Sequence, residues 1–237
     1  EVDLLIRRAQ VSVQQAKLQQ SFYVEYQQGL DEQHMRRLQI IESLKDAVKD
    51  EELHLVLQPK IQCQTGAVMG AEVLLRWQSA KLGFVGPDEF IPLAEQSGAI
   101  TDLTDWVCRQ SVELLRNWEQ QGKTLKLSIN LSTVDLLSDA LPLLFEQLIK
   151  GFPQLPQRLV LEVTESAVMQ DPEKAIARLE TLKRLGFSIS IDDYGTGHSS
   201  LAQLRRLPVE ELKVDRAFVQ YLSEEAMDES IVRSTIQ

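Results

Sequence analysis

Two adjacent carboxylates, Asp192 and Asp193, follow an alternating β-branched run that begins at Ser188. The alternation predicts a buried strand over Phe187–Ile191, so both acids lie at the C-terminal end of that strand. In an α/β fold, this end of a strand is where chemistry is usually placed.

The residues that follow predict a tight turn and a helix. Gly195-Thr196-Gly197 cannot continue a strand, and Ser199 and Ser200 offer an N-cap for a helix over Leu201–Leu207. An ordinary Asp-rich turn with a helix cap explains this stretch equally well when it is taken alone.

Polar residues occur at or near the ends of four other predicted strands. They are Glu72, Asn130, Glu162 with Glu165, and Lys213. Parallel strands bring these ends to one face of a sheet or barrel, so we expect the side chains to converge.

The oxygen-bearing side chains of this set would form a cluster with three negative charges, from Glu72, Glu162 and Asp192, beside the amide of Asn130. Carboxylates this close repel each other unless a cation or a proton offsets their charge. Oxygen ligands without His or thiolate suit Mg²⁺ or Mn²⁺, and also Ca²⁺, better than Zn²⁺. With Asp193 at a second ion, such a site could cleave a phosphodiester.

Each of these residues also has a purely structural explanation. A strand-end acid commonly caps a helix, Asn130 could satisfy backbone groups, and Lys213 could pair with Asp215 or a neighbouring Glu. Arg76 could simply cover Trp77 at the surface. The recurrence of polar strand ends in five strands favours a common site.

From Glu52 onward, the periodicity predicts strands that are mostly separated by helices, which indicates a largely parallel sheet. The six predicted strands are Leu53–Leu57, Val68–Leu75, Leu125–Asn130, Arg158–Val163, Phe187–Ile191 and Glu211–Val214. The predicted helices are Asp88–Gln96, Asp102–Gln121, Leu136–Lys150, Pro172–Leu185 and Leu201–Leu207. An open doubly wound sheet and a (β/α)₈ barrel both fit. A barrel would need about two more strand–helix units, so its end would be missing from this sequence.

The N-terminal segment predicts a helix over Asp3–Gln20, a short strand over Phe22–Tyr26 and a second helix over Asp31–Asp50. The first two elements cannot close a core by themselves, so we interpret them as the tail of a preceding domain. The second helix fits a linker or a partner-facing helix, and a solvated connector fits equally well.

Composition excludes several classes of partner. The formal net charge of −10 argues against a nucleic-acid polymer, although divalent cations could still mediate contact with a small phosphate ligand. Cys63 and Cys108 are isolated and indicate a reducing, cytoplasmic compartment. The sequence has neither a membrane-spanning apolar run nor a signal-peptide pattern. It begins at Glu1 rather than Met, so we expect a fragment of a longer protein.

The motifs occur in an order that resembles a known family. They are Gln58-Pro59, Gly70–Trp77, Pro87–Glu95, Ser128–Asn130, Glu162–Glu165, Asp192–Ser200 and Leu212–Asp215. This series resembles EAL-domain cyclic-di-GMP phosphodiesterases over nearly everything after Glu52. The stretch from Leu5 to Lys17 resembles the closing helix of a GGDEF domain. We therefore expect a GGDEF remnant at 1–30, a linker helix at 31–51 and a C-terminally incomplete EAL domain at 52–237.

The resemblance implies a modified TIM-like (β/α)₈ barrel with one antiparallel strand, the first. It also implies hydrolysis of cyclic di-GMP to linear pGpG with Mg²⁺ or Mn²⁺ at a two-metal site. Upstream GGDEF and sensory domains, a homodimer and a membrane anchor outside this sequence are compatible with the family.

The family's motif positions imply roles for individual residues. The metal ligands would be Glu72, Asn130, Glu162, Asp192 and, for the second ion, Asp193. Lys213 would hold the metal-bound water or the phosphate charge, and Glu165 would steady the Asp192 loop. Arg76 and Gln58 would contact the dinucleotide.

The sequence departs from the family pattern in two ways. Val73 stands where the signature has Ala, and Tyr194 and His198 replace the commoner Phe and Tyr, all conservatively. More seriously, the sequence stops at Gln237, before the family's later Glu and Gln motifs. A catalytically silent EAL domain that binds cyclic di-GMP is therefore the main alternative, and an unrelated Mg²⁺-dependent barrel enzyme is the second.

Overall fold

The computed structural model describes residues 2–18, 20–195, 206–220 and 232. The chain divides into two compact units, Glu1–Leu53 with Trp77–Ala99 and His54–Arg76 with Ile100–Gln237. The described helices are α1 Val2–Leu18, α2 Leu30–Leu44, α3 Pro87–Ser97, α4 Ile100–Gln120, α5 Thr133–Leu136, α6 Ala140–Gly151, α7 Leu155–Arg158, α8 Glu165–Gln170, α9 Pro172–Arg184 and α10 Arg216–Val219. The described strands are β1 Leu53–Ile61, β2 Val68–Ser79, β3 Gly83–Val85, β4 Lys126–Leu131, β5 Leu159–Thr164, β6 Ser188–Tyr194 and β7 Glu211–Val214.

In the first unit, a buried tryptophan organises the packing. Trp77 meets Phe90 edge to face at 5.6 Å between ring centroids, and its indole N–H donates to Glu52 at 2.9 Å. The end of β2 pairs antiparallel with β3, with Trp77 opposite Val85. Strand β3 is absent from the sequence prediction, because three residues are too few to show a period.

The predicted strand over Phe22–Tyr26 is wrong, since this segment has no regular secondary structure. Phe22 and Tyr23 are strongly exposed, and no strand within the described residues pairs with them. A segment rich in β-forming residues still needs a neighbouring strand as its hydrogen-bonding partner. Without one, its backbone groups bind water and no β-ladder forms. The second predicted helix is also shorter than expected, because α2 ends at Leu44 and turns follow.

In the second unit, four neighbouring strand pairs are parallel. The sheet order is β1-β2-β4-β5-β6-β7, and the pairs β2/β4, β4/β5, β5/β6 and β6/β7 run in the same direction. Only residues 62–67 connect β1 to its neighbour β2. Such a connection is too short for a parallel crossover, so β1 runs antiparallel to β2.

The central strands alternate between an apolar face and a polar face. On the apolar face, Ile129, Leu161 and Ile189 are buried in one hydrophobic cluster with residues of α4, α6 and α9. Phe145 of α6 lies 4.7 Å from Phe187, centroid to centroid, beside the start of β6. Because side chains alternate along a strand, this packing directs the intervening residues to the opposite face.

Several element boundaries differ from the sequence prediction for local reasons. Pro59 does not end β1, which continues to Ile61, because β1 lies at the end of the sheet order, where an edge strand tolerates proline. The predicted Leu136–Lys150 helix is two helices, α5 and α6, with Pro142 in the first turn of α6. The turn and N-cap predicted over residues 196–200, and residues 201–205 of the predicted helix, lie outside the described residues.

No helix within the described ranges combines the length and apolar character needed to cross a bilayer. Both cysteines are free thiols, Cys63 exposed and Cys108 buried.

An ion pair between α2 and α3 gives the first unit a pH-dependent contribution to stability. Arg36 donates to both oxygens of Glu89, and the Nη2–Oε2 distance is 2.8 Å. The hydrogen bond from Arg36 lowers the pKa of Glu89 below its ordinary value of 4.5, although partial burial opposes the shift. The ionised form therefore stabilises the fold above that pH, and the contribution is lost as the pH falls through the lowered pKa.

We expect Glu89→Gln to lower the free energy of unfolding at pH 7 by about 0.5–1 kcal/mol, since both side chains are partly exposed. The difference in the free energy of unfolding between this variant and the wild type should become smaller as the pH falls below 4.5. Urea denaturation at a series of pH values measures it. A difference that stays constant down to pH 3 would show that the ion pair is not its cause.

The β2/β4 register depends on the absence of a side chain at Gly70. A Cβ built there would lie 2.5 Å from the backbone oxygen of Lys126, directly across the strand pair. We expect Gly70→Ala to destabilise the fold by about 1–3 kcal/mol, because backbone must move to relieve the clash. Gly86→Ala is the matched control, since a Cβ there meets no atom within 4 Å. Equal denaturation midpoints for the two variants would contradict the close-approach argument.

Candidate functional site

The parallel register of the second unit brings the predicted strand-end residues together on the polar face. Asn130 lies opposite Glu162, and Thr164 lies opposite Asp192. Glu72 lies on β2 opposite Ser128, two residues before Asn130 on β4. The amide nitrogen of Asn130 donates to Glu72 Oε1 at 2.8 Å.

Lys213 of β7 joins three carboxylates of this face. Its ammonium donates to Glu72 Oε2 at 3.0 Å, Glu162 Oε2 at 2.7 Å and Asp192 Oδ2 at 2.6 Å. Partial burial works to lower the pKa of Lys213, but the hydrogen bonds to Asp192, Glu162 and Glu72 outweigh it, and the pKa is raised. Lys213 therefore stays charged at neutral pH. Of the two simple pairings predicted for Lys213, the structure shows the one with neighbouring glutamates rather than the one with Asp215.

Glu162 is the innermost member of the group, with no solvent exposure. Its two oxygens have different partners, since Oε2 accepts from Lys213 and Oε1 accepts from Lys60 of β1 at 2.7 Å. A buried carboxylate is tolerated only when it is paired and hydrogen-bonded, and Glu162 satisfies both conditions.

Lys60 is a member of the site that the sequence analysis missed. Besides Glu162, its ammonium contacts Glu211 Oε1 at 3.0 Å, and Glu211 also accepts from Ser190 Oγ at 3.3 Å. The signal was available, because Lys60 lies two residues after Gln58 and so shares its face of a strand. It was overlooked because the prediction ended the strand at Pro59.

The cluster has the composition of a divalent-cation site. Oxygens of Glu72, Glu162 and Asp192 all lie within 4.8 Å of one another, so these three residues could hold a metal ion. With Glu211, the four carboxylates carry four formal negative charges, and Lys60 and Lys213 offset two of them. A doubly charged cation would neutralise the remainder, and oxygen ligands suit Mg²⁺ or Mn²⁺.

Asp193 lies beside Asp192 in an unusual backbone conformation. Its φ is 55°, in the left-handed region that Asp tolerates better than most residues, and its N–H donates to Asp192 Oδ1 at 2.9 Å. Burial raises the pKa of Asp193, and so do the charge of Asp192 and a hydrogen bond with Asp215. The structure therefore places Asp193 beside Asp192 and Asp215.

Glu165 contacts the loop that follows the two aspartates. It is the first residue of α8, is almost fully buried, and accepts a hydrogen bond from the backbone N–H of Gly195 at 3.1 Å. Gly195 has a φ of 100°, and a Cβ there would lie 2.9 Å from the ring of Phe218. Residues 196–200, including His198, lie outside the described part of the chain.

The two predicted substrate-binding residues are not part of the cluster. Gln58 is exposed on β1, and Arg76 is partly exposed on β2 with one guanidinium N–H donated to the Leu75 carbonyl at 2.9 Å. Within the described residues, neither side chain hydrogen-bonds to Glu72, Glu162 or Asp192.

Comparison with known proteins gives the chain a family. The model of the EAL domain matches residues 41–237. The bifunctional diguanylate cyclase/cyclic di-GMP phosphodiesterase MucR of Pseudomonas aeruginosa is 34% identical over 215 residues, which are 90% of this chain and 31% of MucR. The cyclic di-GMP phosphodiesterase NbdA of the same organism is 39% identical over 202 residues, 85% of this chain and 26% of NbdA. The chain thus spans about a third of the length of the curated relatives it matches.

Solved structures share the fold. A structure of the MucR phosphodiesterase in complex with c-di-GMP has a TM-score of 0.78 and 36% identity, covering 83% of this chain and 80% of that one. The EAL enzyme Bd1971, with cAMP and cyclic-di-GMP bound, has a TM-score of 0.78 and 29% identity, covering 86% and 56%. The predicted α/β fold with a mixed sheet is confirmed, and the chain belongs to the EAL domain family.

Proposed function

We propose that this chain is a metal-dependent phosphodiesterase that hydrolyses cyclic di-GMP to linear pGpG. The observation that carries the proposal is the group of three converging carboxylates braced by Lys213, in a chain of the EAL family. Relatives named as cyclic di-GMP phosphodiesterases and a related structure holding c-di-GMP support the choice of substrate.

Glu72, Asn130, Glu162 and Asp192 would hold Mg²⁺ or Mn²⁺, and Asp193 would serve a second ion. When bound, such ions lower the pKa of a coordinated water and offset the charge of a phosphodiester. The oxygen-only donor set and the formal charge of the cluster support this role.

The other side chains would orient and stabilise the reacting groups. The Lys213 ammonium, already directed at three anionic oxygens, would hold the nucleophilic water or the phosphate charge. Hydrolysis forms a bond from the water oxygen to phosphorus and breaks the bond from phosphorus to the ribose 3′ oxygen, which leaves with a proton. Arg76 and Gln58 would contact the dinucleotide, and a guanidinium suits its phosphate oxygens.

Glu165 would act on the geometry of the aspartate loop. It accepts a hydrogen bond from the N–H of Gly195, which lies three residues after Asp192. This bond connects the aspartate loop to the start of α8. Because it holds the backbone of this loop, we assign Glu165 a positioning role.

For the N-terminal residues, we propose that 1–30 are the end of a GGDEF-like domain and 31–51 a linker. The resemblance of α1 to the closing helix of such domains supports this, and the curated name of MucR includes a diguanylate cyclase activity. A cytoplasmic location for the domain follows from the same proposal.

Glu72→Ala should lower the rate of cyclic di-GMP hydrolysis by more than about 100-fold. Loss of a residue that only hydrogen-bonds to a metal ligand already lowers activity by about 10–100-fold, and loss of the ligand itself should lower it at least as much. The far-UV circular dichroism and melting temperature should stay close to those of the wild type. Glu113→Ala is the control, since Glu113 is exposed and paired with Arg116 on α4. Retained hydrolysis at saturating metal would contradict the assignment of Glu72 as a ligand.

Gly195→Ala should reduce both activity and stability, because it combines a left-handed φ with a clash against Phe218. The left-handed conformation alone costs about 1–2 kcal/mol for a residue with a Cβ. Adding Phe218→Ala removes the clash but not the conformational cost, so the double variant should recover hydrolysis only in part. Full wild-type activity in the single variant would show that the Gly195 loop does not position the site.

A further inference from the structure

Lys60 lies on the far side of Glu162 from Lys213, and the roles assigned above do not use it. We propose that Lys60 is a positioning residue that fixes the orientation of Glu162 for divalent-cation binding. The inference rests on the proposed function, since it concerns the same carboxylate cluster.

The hydrogen bonds of Glu162 divide its two oxygens between two ammonium groups. Oε1 accepts from Lys60 at 2.7 Å, and Oε2 accepts from Lys213 at 2.7 Å. The Lys213 nitrogen also contacts Glu72 and Asp192, so Oε2 is the oxygen that faces the other carboxylates. Lys60 thus determines which oxygen of Glu162 is presented to the cluster and which is held away from it.

Burial makes this contact more than a surface ion pair. With Lys60 in place, Glu162 has no solvent exposure, so bulk water does not compete with the Lys60 ammonium for Oε1. A buried carboxylate oxygen that loses its donor keeps its desolvation cost, and the side chain reorients to find another donor. Among the described residues, Asn130 and Ser190 lie opposite Glu162 on the two neighbouring strands, and each of them, like Lys213, already donates to another carboxylate.

The charge of Lys60 would by itself oppose a cation at the cluster. Glu211 offsets that charge, because its Oε1 lies 3.0 Å from the Lys60 nitrogen. Glu211 is in turn held by the hydroxyl of Ser190, one strand away on β6. Lys60 and Glu211 together form a neutral pair that supplies a hydrogen-bond donor to Glu162 with little net repulsion of a divalent ion.

Mn²⁺ binding in the absence of substrate tests the proposal, with the free Mn²⁺ signal followed by electron paramagnetic resonance. Lys60→Met keeps the length of the side chain but removes its charge and donors. We expect its dissociation constant for Mn²⁺ to rise by about 10–100-fold, the usual effect of losing a partner of a metal-ligating residue. Lys60→Arg, which keeps the charge and the donors, should restore most of the affinity.

Lys183→Met is the matched control. It removes a lysine–glutamate pair of the same length, Lys183 with Glu210 at 2.7 Å, that is exposed and does not include Glu72, Glu162 or Asp192. Its Mn²⁺ affinity should equal that of the wild type. Circular dichroism at the assay temperature verifies that each variant is folded.

A folded Lys60→Met variant that binds Mn²⁺ within twofold of the wild type, or more tightly, would overturn the proposal. If that variant does not fold, Lys60→Gln takes its place, because it also removes the charge that holds Glu162 Oε1, and the same twofold criterion applies. Glu211→Gln tests the neutral pair separately, because it leaves Lys60 on Glu162 but exposes the charge of Lys60. Weaker Mn²⁺ binding by Glu211→Gln supports the neutral pair, and unchanged binding overturns it.

The proposed function can fail separately. A wild-type protein that binds Mn²⁺ but does not hydrolyse cyclic di-GMP contradicts the proposed enzyme activity. The comparison of Mn²⁺ affinity between the wild type and Lys60→Met remains valid in that case. Hydrolysis by the wild type with unchanged Mn²⁺ affinity in Lys60→Met contradicts only the positioning role.

Discussion

The buried charge of Glu162 is the constraint on which the polar face of the second unit depends. A carboxylate without solvent must be paired, and this one is paired twice, by Lys60 from β1 and by Lys213 from β7. These two strands lie at opposite ends of the sheet order, and Glu162 lies on β5 between them. The ion pairs of this one side chain therefore connect segments that are distant in the sequence. The remaining carboxylates bind the same two ammonium groups.

The opposite face of the same strands supplies the rigidity that such a cluster requires. Leu161 and Val163, on either side of Glu162, are buried against the helices, so β5 cannot rotate to relieve the charge. The close backbone approach at Gly70 fixes β2 against β4, and that register sets the position of Glu72 two residues later. Hydrophobic packing on one face thus determines the geometry of charged groups on the other, which is the arrangement that preorganised sites need.

Much of this site could be predicted from sequence because parallel register and two-residue alternation are simple rules. Acids on the same face of β2, β5 and β6 had to meet, and Lys213 on β7 had to join them. Lys60 was missed because proline is normally a strand breaker, and only the position of β1 at the end of the sheet order makes Pro59 acceptable. The strand expected at Phe22–Tyr26 failed for the complementary reason, since local β propensity does not create a pairing partner. Short elements such as β3 and α7 depend on tertiary contacts that no local pattern encodes.

The central claim is that the braced carboxylates make this EAL domain a metal-dependent enzyme rather than a receptor for the dinucleotide. Incubation of the purified protein with cyclic di-GMP, followed by chromatography, tests it most directly, with Mg²⁺ or Mn²⁺ present and with a chelator as control. We predict that linear pGpG forms with either metal and that the chelator abolishes it. A folded protein that binds cyclic di-GMP but forms no pGpG at any metal concentration would contradict the claim.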